Sequence, residues 1–236
     1  ICDIVAVLYA GILEQDPRDP TMQARDRFIL SKGHACVAVY GALAEVGFFP
    51  RAELLHYGQD HSELMNHISH NVPGVEFSTG SLGHGLPFGT GKALAGKRLK
   101  KDWRTIVLLS DGELGEGSNW EAMMFAAHHK LDNLVAIIDY NKLQSLTTVD
   151  NTLRVEPLAD KARAFGWSAL EVDGHDHAAL QDLLKTVPWE VGKPSFLIAH
   201  TTKGKGVSFM ENSVDWHYKS PSAAQLAKAL EELNHA

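Results

Sequence analysis

Asp111 and Asn141 are the side chains whose types and spacing most directly suggest chemistry. Each follows a continuous apolar run, Thr105–Leu109 and Leu134–Ile138, and the two lie 30 residues apart. Such runs suit parallel strands buried on both faces. The carboxyl ends of neighbouring parallel strands lie together at one sheet edge, where ligands of open α/β sheets bind. One crossover would therefore bring the Asp111 carboxylate and the Asn141 amide oxygen to a common point. Both are hard oxygen donors, as magnesium or calcium requires, yet one Asp and one Asn alone hold Mg2+ poorly. Phosphate oxygens would complete the octahedron, so the pair predicts a metal-bound diphosphate. Taken singly, Asp111 reads as a strand-end cap and Asn141 as a turn residue; their joint placement reverses that reading.

The elements that must position this pair follow from periodicity. Ile4, Val7, Leu8, Gly11 and Ile12 have helical spacing and stop before the Asp16–Pro20 turn cluster. Phe28–Leu30 reads as a short strand leading into the polar turn Ser31-Lys32-Gly33-His34, and Ala35–Val46 as the helix after it. Arg51 to Val75, with His56, His61, His67 and His70, lacks a sustained period and reads as loop with one short helix; loops of this length tend to be functional. Ser78-Thr79-Gly80-Ser81-Leu82-Gly83-His84-Gly85 precedes a small-residue helix over Leu86–Ala95. Ala169–Val172 and Ser195–Ala199 supply two more strands. Trp120, Met123, Met124, Ala127 and Leu131 form one helical stripe that reads as core, behind a capping box of Ser118 and Glu121. Ser222 and Gln225 cap a last helix with the stripe Leu226, Ala229, Leu230 and Leu233. The alternation predicts an α/β fold, a doubly wound, mainly parallel sheet flanked by helices. It predicts one domain over 1–236, lacking a short N-terminal segment because the first residue is Ile.

Bulk properties exclude several classes. Apolar residues at 44% and charged residues at 22% are ordinary for a globular protein. A formal net charge of −7 argues against non-specific binding to nucleic acid or an anionic membrane. No apolar run approaches a membrane span. Cys2 and Cys36 are too few for a disulfide framework; both read as core thiols in a reducing cytoplasm. Gly91-Lys92 hints at a P-loop, but Leu86 and Ala93 stand where that motif needs Gly and Ser or Thr. Gly83-His84-Gly85 fails as a dinucleotide fingerprint because Gly89 comes one residue late.

The stretch Ser110-Asp111-Gly112-Glu113 through Asp139-Tyr140-Asn141 resembles the thiamine diphosphate motif of transketolases and related enzymes, with Ser110 in place of the usual first glycine. Asp26–Ala35, ending in Gly33-His34-Ala35, and the Pro73–Gly85 loop are similar to transketolase in particular. The resemblance implies that Asp111, the Asn141 side chain and the Leu143 carbonyl hold Mg2+ (or Ca2+ or Mn2+). It implies thiamine diphosphate contacts from His34, Gly80, Leu82, Gly112, Glu113, Asn141 and His217. His67 would face the sugar hydroxyls, and Glu116 would link paired active sites across a dimer. His34, His67, Glu116 and His217 are thus the catalytic candidates, although the family's late His-Gly is His217-Tyr218 here. His56, His61, His70, His128 and His129 read as surface or core residues.

The implied activity is transfer of a two-carbon ketol unit from a ketose, such as a sugar phosphate, to an aldose. The family also uses a glutamate on a pyrimidine-binding domain. That domain is not in this sequence, nor is the early Ser-Gly-His-Pro-Gly segment. The layout is therefore that of the N-terminal subunit of a split transketolase, active with a C-terminal partner in an α2β2 assembly. The α subunit of a thiamine-dependent 2-oxoacid dehydrogenase, a deoxyxylulose-phosphate synthase-like protein and a non-catalytic cofactor-binding partner are the alternatives that share the metal motif.

Overall fold

A computed structural model describes residues 1–234. In chain order its elements are α1 (Cys2–Val7, continued by a π-helical turn Leu8–Ile12), β1 (Arg27–Leu30), α2 (Cys36–Val46), α3 (Gly85–Arg98) and β2 (Thr105–Ser110). They are followed by α4 (Gly117–His128), β3 (Leu134–Tyr140), α5 (Val149–Thr152), α6 (Leu158–Ala164), β4 (Ser168–Asp173), α7 (His177–Lys185), β5 (Ser195–His200) and α8 (Ala223–Asn234).

The five strands form one sheet in the order β1-β2-β3-β5-β4, and every pairing is parallel. All carboxyl ends therefore lie on one edge, in register: Ser110 sits beside Asp139, and Tyr140 beside His200. Alternate strand residues face opposite sides, so continuous apolar runs feed two cores. Leu30, Ile106, Leu108, Val135, Ile137 and Leu197 pack with α1, α2 and α7. Ile29, Val107, Leu109, Ala136, Ile138 and Phe196 pack with α3, α4 and α6 on the other face. The sheet is doubly wound, as its pattern predicts.

Four expectations are corrected. Ser118 does not cap α4: the N-cap is Glu116, and the Ser118 hydroxyl donates instead to the Gly83 carbonyl at 2.6 Å. Ser118 is already the second residue of the helix, where its hydroxyl cannot cap and is taken up by the tertiary carbonyl. Met123 is fully buried, but Met124 is 55% exposed because α4 turns that face away from the sheet. Cys36 is buried, whereas Cys2 is exposed at the start of α1. The capping box of Ser222 and Gln225 does form, yet of the α8 stripe only Ala229 is buried; Leu226, Leu230 and Leu233 are about half exposed.

Candidate functional site

The carboxyl edge of the sheet opens into a cleft of about 880 Å3. β1 delivers the turn carrying Lys32 and His34, β2 delivers Asp111, β3 delivers Asn141, and β5 delivers Thr201 to Lys203. A second, smaller hollow of about 380 Å3 among Phe49, Glu53, His56 and His61 contains none of the residues singled out for chemistry.

The strand ends are held by hydrogen bonds whose donors are backbone amides. Asp111 is 1% exposed. Its Oδ1 accepts the Gly112 N–H at 2.7 Å and its Oδ2 the Lys142 N–H at 2.5 Å, so the carboxylate abuts the residue next to Asn141. Asn141 Oδ1 accepts the Leu143 N–H at 3.0 Å and keeps a second lone pair. Asp111, Asn141 and Leu143 all line the cleft. Burial pushes the Asp111 carboxyl up to about 6 against the pull of those two amides and of the Lys32 ammonium.

The opposite wall is cationic. Lys32 is buried and salt-bridged to Asp139, which also accepts the Thr201 hydroxyl. Burial would raise Asp139, but the Lys32 charge overrides it and holds that carboxyl far below the usual range. Lys203 Nζ lies 3.4 Å from His217 Nδ1, and the rings of His34 and His217 are 5.5 Å apart. Partial burial, then the charges of Lys32, His217, His67 and Lys203, push His34 down to about 4. Its ring still opens to the cleft, where solvent screens part of that effect. Burial and the Lys32 charge lower Lys203 as well, and burial with the charges of Lys203 and Lys32 lowers His217.

Residues expected to touch the thiamine or the sugar enter from the remaining loops. Gly80, Leu82 and His67 line the same cleft. The Gly80 loop crosses directly over the β1 turn: a Cβ on Gly33 would lie 2.0 Å from the Thr79 carbonyl oxygen, so only glycine admits this approach. Gly112 lines the cleft as well, its N–H donating to Asp111 Oδ1. One expected contact is corrected: the Glu113 side chain is fully buried rather than on the cleft wall. The Glu113 carboxylate accepts the Ser31 hydroxyl and the Gly83 N–H, the latter at 2.9 Å, because those three loops converge beneath the cleft. Glu113 thereby joins the His34 turn, the Gly80 loop and the Asp111 loop. Glu116 is exposed at the start of α4, outside the cleft lining.

Lys32, Asp139 and Lys203 are the members that composition and spacing did not single out. Lys32 and Asp139 sit inside the two transketolase-like motifs, but a lone lysine and a lone aspartate carry no pairing signal until the strand order is known. Lys203 lies in Thr202-Lys203-Gly204-Lys205-Gly206, where glycine spacing is the only cue.

The residues present fit a metal-bound diphosphate. A buried carboxylate held above its ordinary range would be relieved by a divalent cation, and the facing wall of lysines and imidazoles suits phosphate oxygens. Among the described residues no group of three or more His, Cys, Asp or Glu could hold a metal by itself, which leaves the Asp, Asn and carbonyl set.

Comparison with known proteins agrees. The family described as transketolase, thiamine diphosphate binding domain, matches residues 1–235. The chain is 43% identical over 232 residues to one of the subunits of apulose-4-phosphate transketolase from Phocaeicola vulgatus, covering 98% of this chain and 83% of that one. It is 37% identical to a 6-deoxy-6-sulfo-D-fructose transketolase subunit from a Clostridium strain, covering 99% and 85%. The crystal structure of transketolase from Campylobacter jejuni superposes with a TM-score of 0.90 at 30% identity, over 98% of this chain but 37% of that one. With sequence, fold and cleft in agreement along nearly its whole length, the chain belongs to the transketolase family and carries that family's thiamine diphosphate-binding domain.

Proposed function

We propose that this chain supplies the metal and diphosphate half of a two-chain transketolase. Asp111, the Asn141 amide oxygen and the Leu143 carbonyl would hold Mg2+, or Ca2+ or Mn2+ in its place. His34, His217 and Lys203 would face the diphosphate, with Lys32 behind them, while Gly80 and Leu82 would lie against the thiamine. When bound, thiamine diphosphate supplies the nucleophilic carbon and electron sink for cleaving the bond beside a ketose carbonyl. His67, on the cleft lining, would hydrogen-bond sugar hydroxyls, and the exposed Glu116 would meet a second copy of the assembly. The observation that carries this reading is the buried Asp111 carboxylate facing the cationic wall across one cleft.

The split relatives act, by their names, on a sugar phosphate and on a sulfonated sugar. Both substrates end in an anion, which supports a ketose with an anionic terminus as donor and an aldose as acceptor. Their naming as subunits supports a C-terminal partner carrying the pyrimidine-binding domain, in an α2β2 assembly. Among the described residues no helix is long and apolar enough to cross a membrane, and the two free cysteines support a cytoplasmic setting.

The test is reconstitution with a separately expressed pyrimidine-binding chain, followed by ketol transfer with ketose phosphates and, in parallel, turnover of pyruvate. Activity with a ketose phosphate only in the presence of both chains and Mg2+ is expected. Full activity of the single chain would remove the partner, turnover of pyruvate alone would point to another thiamine enzyme, and absence of Mg2+-dependent thiamine diphosphate binding would sink the proposal.

A further inference from the structure

One imidazole outside the expected set ties three elements together at the cleft rim. His175 lies in the turn between β4 and α7, and its Nε2 accepts the Thr202 N–H at 2.8 Å. A backbone amide can only donate, so Nε2 bears the lone pair and the ring proton sits on Nδ1. That N–H donates to Asp3 Oδ2 at 2.9 Å, while the other oxygen of Asp3 receives His177 Nε2 at 2.7 Å. The turn reaches the β5 exit only because residue 174 is glycine: a Cβ there would lie 2.4 Å from Thr201 Cγ2. α1, the β4 turn and the β5 exit are thus locked to one another, and Asp3, His175 and Thr202 all border the cleft.

The consequence falls on the next residue. Lys203 must carry its ammonium to the side of His217 on a flexible stem, so its aim depends on where its backbone is held. Downstream, Gly204 has a positive φ and the Lys203 carbonyl accepts the Asn212 N–H at 2.9 Å. Upstream, Thr201 is held by its N–H on the Tyr140 carbonyl and its hydroxyl on Asp139, and the Thr202 N–H, one residue nearer Lys203, has His175 as its one acceptor among the described residues.

We propose that His175 is a positioning residue: Asp3 sets its tautomer, the imidazole fixes the Thr202 amide, and the loop so held aims Lys203 at the anionic end of the bound cofactor. The inference rests on the reading of the cleft as a diphosphate site. His175→Ala and His175→Gln decide it, since the glutamine side-chain oxygen reaches about as far as Nε2 and restores an acceptor. In the reconstituted two-chain complex, amide hydrogen exchange is followed through residues 201–205 without cofactor, and thiamine diphosphate affinity is measured by calorimetry with Mg2+.

For His175→Ala, loss of one hydrogen bond predicts exchange at Thr202 and affinity loss of about tenfold each. His175→Gln should recover both to within about threefold. In a Lys203→Ala background, His175→Ala should cost less than about twofold more, because the two act as one unit. Unchanged exchange in His175→Ala, or losses that multiply with Lys203→Ala, would overturn the inference while leaving the cleft assignment standing. A wild-type complex that binds no thiamine diphosphate would overturn the cleft assignment itself, and the aim of Lys203 with it.

Discussion

Replacing Asp111 with Asn should shift the stability of the metal-free chain in the variant's favour as pH rises toward neutrality, while abolishing its response to metal. The rise of the Asp111 carboxyl from its ordinary 3.8 to about 6 corresponds to about 3 kcal/mol of destabilisation once the group is ionised. The sign follows from proton binding: a raised carboxyl favours the folded state below pH 3.8, and that advantage is lost as pH climbs through 6. Asn removes the charge. It keeps one oxygen for the Gly112 or Lys142 amide and turns an NH2 toward the other, a mismatch that costs about 1–3 kcal/mol at every pH. The stability of the variant relative to wild type should therefore swing by about 3 kcal/mol in its favour between pH 4 and pH 7. The mismatch sets only the offset. Urea unfolding of both chains without metal across that range reads the swing directly. In the reconstituted complex, Mg2+ with thiamine diphosphate at a hundredfold over Kd should stabilise wild type by about 2.7 kcal/mol and Asp111→Asn not at all. A pH-independent difference between the two chains, or a preserved Mg2+ response in the variant, would refute the assignment of Asp111 as a buried, metal-seeking carboxylate.

The same titration makes metal binding acid-sensitive: below pH 6 a proton must leave Asp111 before Mg2+ enters, so the Mg2+ affinity of the complex should fall about fivefold between pH 6 and pH 5 and stay level above 7. His34, pushed down to about 4, stays neutral across that window and should not distort the slope. Lys32→Met should destabilise the chain by about 3–5 kcal/mol in urea unfolding because it leaves Asp139 buried without its partner, and pairing it with Asp139→Leu should recover most of the loss. Gly33→Ala should lower stability by about 3 kcal/mol or more, since the methyl would fall inside the Thr79 carbonyl, a backbone atom that cannot move aside.

The sequence carried the sheet because both of its faces are buried. Runs such as Thr105–Leu109 and Leu134–Ile138 have no other stable use at that length, and their spacing left room for one crossover helix each. The convergence of Asp111 and Asn141 was legible for the same reason: strand ends in a parallel sheet have nowhere to go but one edge. What stayed hidden depended on partners distant in sequence. Glu113 looked like a cofactor contact by position, yet its carboxylate turns inward to Ser31 and Gly83, 82 and 30 residues away. Ser118 had a capping partner by spacing in Glu121, yet it lies inside the helix and its hydroxyl goes to the Gly83 carbonyl. Lys203 and His175 lie beyond β4 and β5, which exchange places in the strand order, so their approach to the β1 and β3 loops follows from topology and from no local pattern.

The distribution of charge in the cleft bears on how ligands must arrive. Lys32 and Asp139 neutralise each other beneath the floor, which leaves Asp111 facing Lys203, His217 and His34. A divalent cation alone gains Asp111 but enters the field of half-buried Lys203. A diphosphate alone gains Lys203 but meets the Asp111 carboxylate. Each ligand lowers the barrier that the site raises against the other, and such coupling is reciprocal by thermodynamic necessity. Cation and anion would therefore bind as one unit in this geometry, and Asp111, a buried cleft carboxylate whose oxygens meet backbone amides, is the group whose cost would be cancelled only when both are present.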